Sequence, residues 1–97
     1  MHRLKSLMLL LSFLALVSLA SAQEGASIFK SKCAACHGAM GEGKVGPALK
    51  GTSMSADDIA NLLTKGNSSK KPPHKNPMSS LSADQAKAVA EYVKGLK

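Results

Sequence analysis

Two cysteines with two residues between them, and a histidine directly after the second, constrain this chain more than any other stretch: Cys33-Ala34-Ala35-Cys36-His37. On a helical turn both sulfurs lie on one face, spaced to bond two neighbouring vinyl groups of one porphyrin. His37 can turn its imidazole under the same ring as an axial ligand of the iron. The pattern is the attachment signature of c-type haem. Two other chemistries use similar residues. A redox-active dithiol needs a βαβ scaffold, and no strand pattern is present to build one. A zinc site needs four ligands in tetrahedral array, for which only His74 is available to complete Cys33, Cys36 and His37, and the adjacent Cys36 and His37 are poorly placed to reach one ion.

The remainder of the chain asks for such a group. Residues 1–22 have a basic start (His2, Arg3, Lys5), an apolar run from Leu7 to Ala20 and a small-x-small site at Ala20-Ser21-Ala22, which together predict a cleaved secretory signal peptide. The run is 14 residues, short of the roughly 20 needed to span a membrane. Position 23 is Gln, not the Cys of a lipoprotein, so no stable membrane anchor is expected. Residues 23–97 form one domain in which 28 of 75 side chains are hydrophobic, eleven of those being Ala. Only 15 are large and apolar, and the aromatics are Phe29 and Tyr92 alone. Burial on that scale barely offsets chain entropy in so small a domain without a staple. A Cys33–Cys36 disulfide would close a loop too small to restrain much.

Beyond residue 22, eleven lysines face six acidic residues, a net charge of +5 that suits acidic partners or surfaces. Nucleic acid is not expected, because the chain is exported and no Arg remains for phosphate clamping or base reading. Three amphipathic helices are predicted and no strands. The first spans about Gly25 to Ala35 and leads into the Cys-x-x-Cys-His motif. A Gly-rich passage from Gly38 to Gly51 must be irregular. The second helix starts at a Ser55 cap, with Ile59, Leu62 and Leu63 as its buried stripe, and ends at Gly66. Pro72, Pro73 and Pro77 keep Asn67–Ser80 out of regular structure, and so long a loop in a small domain is usually functional. The third helix opens on the capping box Ser82-Ala83-Asp84-Gln85, buries Ala86, Val89, Ala90 and Val93, and should reach about Leu96.

With these features in place the sequence resembles the class I c-type cytochromes, small soluble electron carriers. The likeness covers nearly all of residues 23–97: Gly25 and Phe29 before the motif, Gly46-Pro47-Ala48-Leu49 after it, Pro77-Met78 in the late loop and Tyr92 on the last helix. It implies an all-α small cytochrome c fold, three to four helices wrapped around one covalently attached haem c. It further implies that the first and last helices cross at Gly25 with Phe29 near Tyr92, that the Pro47 carbonyl accepts a hydrogen bond from His37, and that Met78 is the second iron ligand. The chain is shorter than the photosynthetic members and has no Trp, so no subgroup is assigned.

The residues themselves leave the second ligand less closed. Met40 is three residues past His37 and tethered to the proximal side. Met54 precedes a helix cap, where methionines usually fill gaps, and His74 reads as a solvated loop histidine. Met78 sits in the loop that nothing else explains. His37 and Met78 together would leave the iron no open position, so the expected function is periplasmic one-electron transfer and not enzymatic catalysis. A haem enzyme or gas sensor with a labile Met78 is the competing reading, and the sequence shows no spare distal His/Arg pair to support it. The partners expected are a redox donor and acceptor with acidic docking surfaces, met by a monomer through Lys44, Lys70, Lys71 and Lys75. No acidic residue falls between Gly43 and Ala56 or between Ile59 and Ala83.

Overall fold

The computed structural model describes residues 20–97. Of the expected signal segment, residues 1–19 lie outside the described residues, and positions 20–22 are already helical. Three helical stretches and the loops between them make an all-α domain. The first, α1, covers residues 20–37 and is longer at both ends than its sequence pattern suggests. Nor is it uniform: Phe29–Cys33 forms a π turn in which the Ala34 N–H reaches back to the Phe29 carbonyl, and a last α turn, Ala34–His37, follows. A π turn inserts one residue into the helical repeat and so re-aims everything after it. At its end, Cys33 and Ala34 still pack against the cluster that holds Phe29, while Cys36 is exposed and His37 buried.

Helix α2, Ala56–Lys65, begins where the Ser55 hydroxyl accepts the Asp58 N–H at 3.1 Å and stops at Gly66. Helix α3, Ala83–Lys94, has the full capping box: Gln85 N–H to the Ser82 hydroxyl at 3.1 Å and Ser82 N–H to the Gln85 side chain at 2.9 Å. The buried Leu81 just ahead of the cap packs in the same cluster as Ala86. Helix α3 ends at Lys94, capped by Gly95, two residues short of the expected end.

Helix α1 crosses α3 at backbone contact. A Cβ on Gly25 would run into the Ala88 carbonyl oxygen, lie 2.8 Å from its carbon and 3.2 Å from the Tyr92 Cβ. One turn on, Phe29 and Tyr92 pack with ring centroids 5.2 Å apart at 50°. Around this crossing lie Ile28, Ile59, Leu63, Val89, Ala90 and Val93. Phe29 and Val89 are the largest fully buried side chains among the described residues, and burying a phenylalanine contributes about 3 kcal/mol at most. The core is thin, as the composition requires, and half-buried Leu49, Met54, Met78 and Leu96 fringe it. Leu62, expected in the buried stripe of α2, is only half-buried because it lines an open groove with Met54, Asn61 and Lys70.

Candidate haem-binding site

The end of α1 presents Cys33, half-buried, and Cys36, exposed. Burial pushes the Cys33 thiol up from its ordinary value, and the neighbouring Lys32 pulls it back in part. Behind them the imidazole of His37 is buried, 8% exposed. The loop after α1 folds back to fix that ring. Gly43 N–H bonds the His37 carbonyl and Gly46 N–H bonds the Cys36 carbonyl, each at 2.7 Å. Gly46 must be glycine here, since a Cβ would lie 2.9 Å from His37 Cε1 and 3.0 Å from its Nδ1.

The Nδ1 of His37 and the Pro47 carbonyl are 2.7 Å apart. A carbonyl only accepts, so Nδ1 carries the donated proton, and a lone pair for a metal can only be that of Nε2. An acceptor of this kind fixes the tautomer and raises the basicity of the free nitrogen.

The loop from Asn67 to Ser80 brings His74 toward the His37 ring and packs Met78 against the core. Gly66, at φ 71°, allows the loop backbone to fold directly onto the end of α2, where a Cβ would lie 2.9 Å from the Asn76 Cα. Asn67 N–H bonds the His74 carbonyl at 2.8 Å, and Met78 N–H bonds the Leu63 carbonyl at 2.9 Å. In residues 67–80 every side chain is exposed except those of His74 and Met78. Met40, at 61% exposure, stands in solvent. Met54 lines the groove on α2 with Asp58, Leu62 and Lys70, a groove that takes in neither cysteine and neither His37 nor His74.

His74 differs from the sequence expectation of a solvated residue. Its ring stands 6.0 Å from that of His37, centroid to centroid, at 31°. Its Nδ1 is fully buried with no hydrogen-bond partner. Desolvation lowers its pKa from the ordinary value, with smaller contributions from His37 and Lys70. Burying a polar nitrogen without a partner is costly, and such an atom calls for a ligand that completes it. Two cysteine side chains, an imidazole fixed by Pro47 and a second imidazole whose ring lies 6.0 Å from the first fit a metalloporphyrin. The array of ligands that a zinc site requires is not assembled, since no group of three or more His, Cys, Asp or Glu converges among the described residues.

Comparison with known proteins agrees with this geometry. The family model described as cytochrome c oxidase, cbb3-type, subunit III matches residues 20–93. Cytochrome c-551 of Stutzerimonas stutzeri is 38% identical over 86 residues, covering 80% of this chain and 82% of that protein. No solved structure is significantly similar. The chain belongs to the small class I c-type cytochromes. It is thus an electron carrier with covalently bound haem c, and Cys33 and Cys36 are the cysteines that fit the attachment motif.

Proposed function

We propose that the protein is a periplasmic one-electron shuttle whose iron is held between His37 Nε2 and the Met78 thioether, with Cys33 and Cys36 as the haem anchors and Pro47 as the carbonyl that orients the proximal ring. The observation that carries this reading is the pairing of two fixed sides: His37 held by Pro47 at 2.7 Å, and Met78 turned inward at the end of a loop pinned to Leu63 at 2.9 Å. When bound, the haem supplies one reversible electron at its iron. The residues around it decide how easily. A soft thioether favours ferrous iron, and apolar packing from Phe29, Leu63 and Val89 works in the same direction. With both axial positions filled by the chain, no site is left for substrate, so the reading is a carrier and not an enzyme.

Export rests on the expected signal peptide. Among the described residues no helix is long and apolar enough to cross a membrane. Docking falls to exposed Lys44, Lys70, Lys71 and Lys75, which bracket the ligand loops with one sign of charge and suit an acidic partner. The test is the weak long-wavelength iron–sulfur band of the ferric holoprotein. Met78→Ala should abolish it and lower the reduction potential, and Met54→Ala should leave it in place. Loss of the band in Met54→Ala alone would overturn the ligand assignment. A purified periplasmic product whose mass does not begin at Gln23 would overturn the export reading.

A further inference from the structure

We propose that His74 is a reserve axial ligand, which takes the distal position on the iron when the Met78 thioether leaves it. The proposal rests on the His37/Met78 reading and adds a second state to the same site. Three observations carry it. His74 and Met78 are the two side chains of residues 67–80 that are not exposed. The His74 ring stands 6.0 Å from the His37 ring. Two imidazoles bound on opposite sides of one metal, at ordinary metal–nitrogen distances of about 2.0–2.1 Å, have centroids about 6 Å apart. The pair already has the separation of a bis-imidazole site. Finally, the Nδ1 of His74 is buried and has no hydrogen-bond partner.

A buried nitrogen without a partner costs free energy unless something occupies it. No backbone donor of the loop does so. The His74 N–H and carbonyl are both committed, to Lys71 at 3.1 Å and to Asn67 at 2.8 Å, so the main chain is fixed while the ring has no bond of its own. The exchange is balanced without any further reagent. The iron–sulfur bond to Met78 breaks and the sulfur keeps its pair. The iron–nitrogen bond would form from the lone pair of the unprotonated ring nitrogen of His74, the proton remaining on the other nitrogen, and the oxidation state of the iron would not change. A borderline nitrogen ligand competes best against a soft thioether on the ferric ion, so the second state belongs to the oxidised protein, and there it lowers the reduction potential.

The experiment uses ferric holoprotein from the full chain, read by electron paramagnetic resonance and visible absorption. Met78→Leu preserves side-chain volume and removes the sulfur; Met78→Ala removes both and gives His74 more room. The expected result is a low-spin, two-nitrogen spectrum in at least one of these variants, converting to high-spin, water-ligated iron when His74→Ala is added. Far-ultraviolet circular dichroism establishes that each variant is folded. High-spin iron in both Met78 variants, with His74 present, overturns the proposal and leaves the Met78 assignment standing. A low-spin spectrum that persists without His74 also overturns it, assigning the ligand to a loop lysine such as Lys71 or Lys75. If His74→Ala alone makes the iron high-spin in the presence of Met78, His74 is the resident ligand. Both the exchange and the Met78 reading then fall.

Discussion

Gly25 fixes the distance at which α1 crosses α3, and Gly25→Ala tests how much of the fold depends on that contact. The added methyl would enter the space of the Ala88 carbonyl oxygen, 2.8 Å from the carbonyl carbon and 3.2 Å from the Tyr92 Cβ. The obstacle is helix backbone, which cannot rotate away as a long side chain would, so the helices must separate. Forcing a methyl into packed structure costs about 1–3 kcal/mol. Against this, alanine in a helix interior is favoured over glycine by roughly 0.5–1 kcal/mol. The difference is about 0–2.5 kcal/mol, and an obstacle made of helix backbone puts the expected loss at about 1–2 kcal/mol. In a domain of this size each kcal/mol moves the thermal midpoint by about 4–8 °C, so the holoprotein should melt about 4–16 °C lower. Gly95→Ala is the control. Its Cβ would meet nothing nearer than the Tyr92 carbonyl oxygen at 3.5 Å, and its φ of −84° suits any residue, so it should be neutral or slightly stabilising. Calorimetry of both variants, with the visible spectrum recorded to show the haem in place, makes the comparison. Equal midpoints for Gly25→Ala and Gly95→Ala would refute the claim that the crossing is held at backbone contact.

Folding should depend on the haem: Cys36→Ala, left with a single thioether, should melt earlier than the parent, and a cooperatively folded, haem-free Cys33→Ala/Cys36→Ala chain in calorimetry would contradict the argument from the thin core. Gly46→Ala places a methyl 2.9 Å from His37 Cε1, tilting the ring off the Pro47 carbonyl; weaker hydrogen bonding makes Nε2 less basic, so voltammetry should show a higher potential with the iron–sulfur band kept, and an unchanged potential would remove Pro47 from the tuning of the iron. Electron transfer to an acidic acceptor should slow steeply as salt shrinks the Debye length to about 10 Å at 0.1 M, and Lys70→Glu with Lys71→Glu should flatten that dependence in stopped-flow while hardly moving the potential. Rates indifferent to ionic strength would assign these lysines to solubility.

The parts of the fold legible in the sequence are those set by local chemistry. Ser55 and Ser82 announce the starts of α2 and α3 because their hydroxyls satisfy N–H groups three residues on, a bond that requires no tertiary partner. The buried positions of α3 follow from its period. The π turn at Phe29–Cys33 is hidden for the converse reason: a 3.6-residue period assumes every turn alike, and no local signal marks the inserted residue. Leu62 belongs to the same class, an apolar residue at the edge of a stripe whose burial depends on what covers it.

His74 shows why the distal side was the harder half to read. Between Pro73 and Lys75 a histidine has every local sign of a solvated residue, and hydropathy cannot distinguish it from its neighbours. What turns it inward is long-range: the Asn67 N–H on its carbonyl and the close passage of Asn76 over Gly66. Under the proposed ligation the loop's stability would be tied to the iron as well. Apart from His74 and Met78 its side chains are exposed, so it buries little to hold itself against α2. A segment held by few buried contacts opens at low free-energy cost. On the proposed ligation, a bond from the iron to this loop would stabilise the closed loop as well as complete the coordination, and whichever residue supplied it, Met78 or His74, the potential and the local stability would change together.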